Sequence, residues 1–287
     1  MGTSDPDSGL KPRGPAALNW SGVVALFLVT VRRLLAGWRL LGITVLFLLP
    51  ALVTGLIRWN GSQDSPGAIE FITLLNLIPY SALPFTSLLF ASGLIQDEVE
   101  EQTLTYLLLR PLPRWLIYLT KLAASVATTI LFATVCTAMN LLVIYLLNSP
   151  NGLTSSAWLE LFQHGAVLCF IYALAIFAYC GVFGLIGLVF RKSLPMGVIY
   201  IIFIEGVLAN IPFIVRKATV IFYERVLMLR WLKLGSDVSE GWSIDLSEAP
   251  SNLECILTLL GIGLVFAVVA GVYFTIREFR VKTPEAT

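Results

Sequence analysis

The sequence predicts an all-α, polytopic membrane protein with six transmembrane helices, an N-terminal interfacial helix and a short cytosolic helix between spans two and three. Apolar residues make up 57% of the chain and charged residues only 13%, whereas soluble domains are about 25% charged. Six apolar runs also approach or exceed the about 20 residues with which a helix crosses the hydrocarbon core. These runs lie at about 40–57, 69–95, 116–147, 165–190, 194–214 and 253–276.

The residues before the first span divide into a polar part and an apolar part. Residues 1–17 are polar, acidic at their start and rich in proline and glycine, and they do not have the pattern of a signal peptide. We expect them to form a disordered cytosolic tail, and residues 18–287 to form a single transmembrane domain. Segment 18–35 is apolar but ends in Arg32 and Arg33, a few residues before the first span. A helix lying in the cytosolic interface fits this pattern better than a seventh crossing.

Lysine and arginine predict the orientation of the spans. With the N-terminus inside, thirteen of these residues lie in segments that face the cytosol and six in segments that face outward. Five of the six lie in one long segment, 215–252, and long segments weigh little in this rule. We therefore expect both termini in the cytosol, and the plasma or inner membrane as the location.

The outer segment 215–252 contains an apolar run, 218–234, that carries four charged residues. Four charges are too many for a span, and the run also contains Phe222, Tyr223 and Trp231. This pattern is typical of a re-entrant or interfacial helix that dips into the outer membrane interface. A partly ordered loop is the alternative.

The composition argues against enzyme and metal chemistry. His164 is the only histidine, and the four cysteines lie in or beside apolar runs without a CxxC pair. A histidine-based metal cluster or a catalytic triad is therefore not expected. The net charge of +1 and the lack of a basic stripe give no indication of nucleic-acid binding. We expect no metal, no cofactor and no catalytic residue in this chain.

Segment 96–121, QDEVEEQTLTYLLLRPLPRWLIYLTK, places a dense cluster of charge between the second and third spans. Asp97 and Glu100 have the spacing of a capping box, in an Asp variant, and acidic residues suit the positive end of a helix dipole. Pro111 and Pro113 end the helix. Three leucines at helical spacing form an apolar stripe: Leu104, Leu107 and Leu108. From these residues alone, the helix either docks into the groove of a partner protein or rests its leucines on lipid.

The pattern E-E-x-T-L-x-x-L-L-x-R-P at 100–111 resembles that of the ABC-2 type permeases, the membrane subunits of ATP-driven exporters. The expected topology, with an interfacial helix, six spans and re-entrant outer helices before the last span, is also similar to that family. The resemblance implies that this segment is a coupling helix inserted into an ABC ATPase subunit, and that the permease forms a homodimer or pairs with a related permease. The residues that it places against the ATPase are Glu98, Glu101, Thr103, Leu104, Leu107, Leu108 and Arg110.

The sequence has no phosphate-binding loop of the form GxxxxGK[ST]. The nearest match, 187–193, lacks the glycine before Lys192 and follows a membrane span. ATP and Mg²⁺ are therefore expected on a separate ATPase chain. The present chain is expected to be a non-enzymatic subunit whose other partner is membrane lipid.

Glu205 lies near the middle of the predicted fifth span. A charge there costs about 2.5–3.5 kcal/mol on insertion scales, so the side chain should face protein or a water-filled cavity. Two interpretations are open: a group that contacts substrate or gates translocation, or a protonated carboxyl with a structural role, hydrogen-bonded to a neighbouring helix, for example to Asn140. Pro79 and Pro84 should kink the second span and are candidate hinges.

Two other functions fit the same composition. An ion-coupled secondary transporter would use Glu205 as its proton site, although no internal repeat of the kind found in many such transporters is visible. A membrane scaffold without transport activity is the other. No residue in the spans selects a substrate, separates export from a mechanical or maturation role, or separates a homodimer from a heterodimer.

Overall fold

The computed structural model describes residues 20–59, 71–100, 113–148, 155–211, 214–234 and 241–276, and these ranges are mostly helical and contain no strand. The first four helices are α1 (Trp20–Ala36), α2 (Trp38–Trp59), α3 (π-helical over Phe71–Ala82, then α-helical over Leu83–Ala91) and α4 (Gln96–Glu100). Two long helices follow, α5 (Arg114–Asn148) and α6 (Ser155–Val189). The last three are α7 (Ser193–Tyr200, continued by π-helical Ile201–Val207 and a 3-10 turn at Leu208–Asn210), α8 (Val220–Trp231, after a 3-10 turn at Ile214–Ala218) and α9 (Asn252–Ile276).

Five helical segments of the described chain are long and apolar enough to cross a membrane: Leu74–Glu98, Arg114–Leu146, Trp158–Val189, Ser193–Asn210 and Asn252–Ile276. A sixth candidate exists if Trp20–Ala36 and Leu40–Leu56, which bend by 63° relative to each other, are counted as one broken span. The prediction of an all-helical, multi-pass membrane protein is therefore confirmed, with five or six candidate spans.

The structure describes only part of the predicted N-terminal region, from residue 20 onward. The interfacial role of 18–35 and the separate crossing at 40–57 stay predictions, because the structure joins these segments through a sharp bend without defining the membrane plane. The tail at 1–17 lies outside the described residues.

α6 is the central helix of the bundle and packs against α3, α5, α8 and α9. A helix that is apolar on all sides belongs either in a protein core or in a membrane, and α6 occupies the middle of the bundle, where Tyr172, Tyr179 and Phe183 are fully buried. α6 is therefore the surface against which several of the other spans are positioned.

α6 and α9 approach each other closely at Gly181 and Gly263. A Cβ atom added at Gly181 would lie 2.7 Å from the carbonyl oxygen of Gly263, and one added at Gly263 would lie 2.9 Å from the carbonyl oxygen of Phe177. Both contacts are with backbone, which cannot move aside as the end of a side chain can. Small residues at such positions let membrane helices pack closely.

The two prolines of α3 lie on either side of a change in helix type. Pro79 is inside the π-helical Phe71–Ala82, and Pro84 is in the first turn of the α-helical Leu83–Ala91. Ala82, which precedes the α-helical part, has helical backbone angles, so α3 continues through Pro84 without a break. The π turns accommodate the interruption of the hydrogen-bond ladder at Pro79. The hinge role of both prolines stays a prediction.

Replacing Gly181 with alanine is expected to destabilise the bundle by about 1–3 kcal/mol, because the added methyl group overlaps the carbonyl of Gly263. Gly261→Ala is the matched control, since a Cβ atom at Gly261 meets no atom within 4 Å. Thermal unfolding of the two purified variants in detergent measures the difference. Equal stability of Gly181→Ala and Gly261→Ala would contradict the close contact of the two backbones.

Candidate functional site

The first candidate site lies where α4 meets three other elements. We call this site the α4 junction and define it by Arg33 of α1, Gln96 and Glu98 of α4, Lys121 of α5 and Ser193 of α7. These contacts hold the described residues of α4 against the rest of the bundle.

The strongest contact of the α4 junction is an ion pair between the carboxylate of Glu98 and the ammonium group of Lys121. Lys121 Nζ also donates a hydrogen bond to the carbonyl oxygen of Leu94 at 2.8 Å. The side chains of Lys121 and Glu98 are only 5% and 11% exposed. Removing one partner of a buried ion pair costs about 3–5 kcal/mol, because the other charge stays buried without compensation. The pair therefore fixes α4 on α5.

Arg33 reaches the same carboxylate from α1, with its Nη1 atom 4.0 Å from Glu98 Oε1. The Arg33 side chain is 41% exposed, and ion pairs of solvated side chains contribute about 0–1 kcal/mol. Arg33 therefore adds a weak link to α1, and the free energy of the junction is dominated by the pair of Glu98 and Lys121.

Gln96 connects α4 to the turn between α6 and α7. Its Nε2 atom donates to the carbonyl oxygen of Arg191, and its Oε1 atom accepts a hydrogen bond from the hydroxyl of Ser193 at 2.7 Å. One amide side chain thus uses both its donor and its acceptor on the same turn. As a result, α4 is linked to α5 through Glu98 and to α7 through Gln96.

Most of the predicted ATPase contacts lie outside the described residues: Glu101, Thr103, Leu104, Leu107, Leu108 and Arg110. Glu98 is described, and its carboxylate faces Lys121 within the bundle. Contact between Glu98 and a partner stays a prediction. The sequence reasoning missed the role of Lys121, although a lysine at the start of an apolar run is a visible signal. It also missed Gln96 and Ser193, which no local pattern connects.

The second candidate site is the carboxylate of Glu205, in the π-helical Ile201–Val207. The side chain is 1% exposed. Oε1 accepts the backbone N–H of Val220 at 3.2 Å, and Oε2 accepts that of Ile221 at 3.1 Å. The hydroxyl of Tyr200 donates to Oε1 at 3.4 Å. Since Val220 and Ile221 are the first two residues of α8, Glu205 caps the N-terminus of this helix from a different helix.

The N-cap residue of α8, Thr219, does not itself cap the helix. Thr219 has the extended backbone of an N-cap residue but makes no capping hydrogen bond, because its hydroxyl donates instead to the carbonyl oxygen of Arg216 at 2.8 Å. The first N–H groups of a helix have no partner within it, and a carboxylate placed there also gains from the positive end of the helix dipole.

The suggested partnership of Glu205 with Asn140 is wrong. The side-chain amide of Asn140 donates to the carbonyl oxygens of Phe47 at 3.1 Å and Cys136 at 2.8 Å, and so links α5 to α2. The expected hydrogen bond between Glu205 and a neighbouring helix is present, but the partner is a helix N-terminus and not a polar side chain. The gating interpretation of Glu205 stays a prediction.

α8 lies within the run 218–234 and is more deeply buried than an interfacial helix needs to be. Every residue from Val220 to Leu229 is buried, including Glu224 and Arg225. The helix packs against α3, α6 and α9. The position of α8 relative to the membrane surface stays a prediction. Because the first turn of α8 is buried in the bundle, its N–H groups need an acceptor from within the protein, and α7 supplies it.

Breaking the ion pair of the α4 junction is expected to destabilise the protein by about 3–5 kcal/mol in either Glu98→Gln or Lys121→Met, because each leaves one buried charge. The double variant is expected to recover part of this loss, since no charge is then left unpaired. Denaturation of the purified proteins in mixed micelles measures the free energies of unfolding. Lys192→Met serves as the control because Lys192 is exposed beside Ser193. Losses that simply add in the double variant would refute the coupling.

Replacing Glu205 with alanine is expected to cost about 1–3 kcal/mol for each of the two N–H groups that lose their acceptor. Glu205→Gln retains one acceptor oxygen and should have an intermediate effect. Hydrogen–deuterium exchange of α8 reports the change directly, since the amides of its first turn should exchange faster. Glu160→Ala is the control, because Glu160 is exposed on α6. Unchanged exchange in Glu205→Ala would rule out the cap.

The comparisons with known proteins agree with this architecture. No curated protein matches the chain. The family model described as ABC-2 family transporter protein matches residues 31–207, which is more than half of the 287-residue chain. The matched region runs from the last turn of α1 into the π-helical part of α7, so it contains both the α4 junction and Glu205. The chain therefore belongs to the ABC-2 family of transporter proteins and is an integral membrane permease of an ABC transporter.

Proposed function

We propose that the chain is the permease subunit of an ABC exporter in the plasma or inner membrane, with both termini in the cytosol. It works as a homodimer or with a related permease. A separate ATPase chain binds ATP and Mg²⁺, hydrolyses the nucleotide and drives translocation. Membership of the ABC-2 family supports this proposal, because such permeases are membrane transport components that associate with an ABC ATPase subunit.

The α4 junction is the observation that carries the proposal. α4 leads directly into 101–112, the segment that holds most of the predicted ATPase contacts, and α5 begins just beyond it. Glu98 links α4 to α5, and Gln96 links it to the turn before α7. A displacement of this segment by the ATPase is therefore passed to two spans together. This is a rigid-body transmission, in which packed elements move as units.

In this proposal the two parts of the segment have different tasks. Glu98 and Gln96 transmit movement, because their side chains are engaged within the bundle. The predicted contacts from Glu101 onward dock into the ATPase, with the leucine stripe as the apolar anchor.

Ion coupling through Glu205 is the less favoured function. Both carboxylate oxygens of Glu205 accept backbone N–H groups of α8. Protonation in each transport cycle would weaken these bonds and the favourable interaction with the helix dipole. The cap thus supports a structural role for Glu205 and leaves ATP hydrolysis as the energy source.

Changing Leu104 and Leu107 together to aspartate is expected to weaken ATPase binding at least about tenfold, since burying a carboxylate in an apolar groove costs more than the 1.4 kcal/mol that corresponds to tenfold. The measurement is co-purification with an ABC ATPase, a chain that carries a GxxxxGK[ST] loop. Leu109→Asp is the matched control, because Leu109 lies off the stripe. Tight binding by the Leu104 and Leu107 variant would show that the docking assignment is wrong.

The variant Lys121→Met, which changes none of the predicted ATPase contacts, separates docking from transmission. It leaves the leucine stripe intact, so the ATPase should still co-purify. The change in ATPase rate that the permease causes in proteoliposomes should be lost, because α4 is no longer fixed on α5. An unaltered rate in this variant would remove the transmission role of the α4 junction.

A further inference from the structure

Arg225 of α8 is a buried cation enclosed by aromatic rings. Only 3% of the residue is exposed. Its guanidinium carbon lies 4.4 Å from the ring centroid of Tyr80 and 5.3 Å from that of Trp242. We call Arg225 and these two rings the arginine box. Its members come from α8, α3 and the segment before α9.

Both rings of the arginine box are held in place by asparagine side chains. The hydroxyl of Tyr80 donates to Asn210 Oδ1 at 2.8 Å, and the indole N–H of Trp242 donates to Asn76 Oδ1 at 3.1 Å. Each ring has therefore used its polar hydrogen elsewhere and offers its π face to the guanidinium. The box is a built arrangement in which four polar or aromatic side chains fix the surroundings of one cation.

The guanidinium of Arg225 has no hydrogen-bond acceptor among the residues that the structure describes. Nε is buried without a hydrogen-bond partner, and among the described residues no carboxylate forms an ion pair with Arg225. Burial lowers the pKa of Arg225 to about 10, so the side chain remains charged at neutral pH. Cation–π contacts offset only part of the cost of burying a charge. Arg225 therefore has no anionic partner among the residues that the structure describes.

Glu224, the neighbour of Arg225, does not supply this partner. Consecutive residues on a helix are about 100° apart and face different sides. Burial, and to a smaller extent the nearby Glu205, raises the pKa of Glu224 well above its usual range, so the neutral acid is favoured. The charge of Arg225 is thus not balanced from its own helix.

We propose that the arginine box binds a phosphate or carboxylate group, supplied by the headgroup of a lipid or by a soluble anion. A guanidinium with rings against its face and a free planar edge is suited to bidentate contact with such oxygens. Asn76, which accepts the hydrogen bond of Trp242, lies near the end of α3 that is remote from α4. Tyrosine and tryptophan are enriched at membrane interfaces, and Trp242 is the partly exposed wall of the box. This site requires no ATPase and stands apart from the proposed coupling.

The test uses the full-length permease in neutral detergent without its ATPase. Phosphatidylglycerol is expected to raise the unfolding temperature above the value measured with the same amount of phosphatidylcholine, because a ligand that binds the folded state stabilises it. Arg225→Met should lose this difference, with affinity lowered about tenfold or more by the loss of charge-assisted hydrogen bonds. Arg230→Met is the matched control and should keep it, since the Arg230 guanidinium already donates to the carbonyl oxygens of Leu246 and Ala249.

Inorganic phosphate and acetate distinguish the sources of the anion. Stabilisation by either salt as well as by phosphatidylglycerol identifies a soluble anion, and stabilisation by the lipid alone identifies a headgroup; both outcomes support the site. A wild-type protein that responds to none of the three, or an Arg225→Met protein that responds like wild type, overturns the proposal. If Arg225→Met does not fold, Arg225→Lys replaces it: lysine keeps the charge but lacks the planar fork, so an undiminished response also overturns the site. Failure here leaves the ATPase coupling untouched, because no ATPase is present.

Discussion

The first two N–H groups of α8 need acceptors inside a bundle where water is scarce, and the carboxylate of Glu205 provides both. An acid within an apolar span is costly by itself, and so is a buried helix end without a cap. The two hydrogen bonds between Glu205 and α8 reduce both costs, because the carboxylate gains donors and the helix end gains acceptors. With its first turn fixed, α8 fills the space beside α3, α6 and α9. The surroundings of Arg225 depend on the same contact, because Arg225 lies one turn further along this helix.

At the other end of α3, polar contacts of α4 determine how the chain packs. α4 follows α3 within the candidate span Leu74–Glu98. Two of its side chains fix it on neighbouring elements: Glu98 through a buried charge pair and Gln96 through a pair of hydrogen bonds. Removing one partner of the buried pair costs several times the free energy that an exposed contact such as that of Arg33 contributes. The position of α4 is therefore most sensitive to the pair of Glu98 and Lys121.

Local patterns predicted the spans, because hydropathy does not depend on what a residue touches. The last span, expected at 253–276, is Asn252–Ile276 in the structure. Contacts between distant residues were not predictable in this way. Asn140 was a reasonable partner for Glu205 as a polar residue within a span, but the true donors are backbone N–H groups, which nearly every residue has and no pattern marks. Gln96 and Ser193 are 97 residues apart and meet only because α4 folds against the turn before α7.

The cap on α8 also has a consequence for the order of assembly. Glu205 precedes Val220 by 15 residues, and chains are synthesised from the N-terminus. The acceptor on α7 is therefore available before the donors of α8 leave the ribosome, whereas Trp242 follows both. The cap can therefore form in the order of synthesis, with the wall formed by Trp242 added after it. The packing of α8 against α9 comes last, because α9 is the final helix to be made.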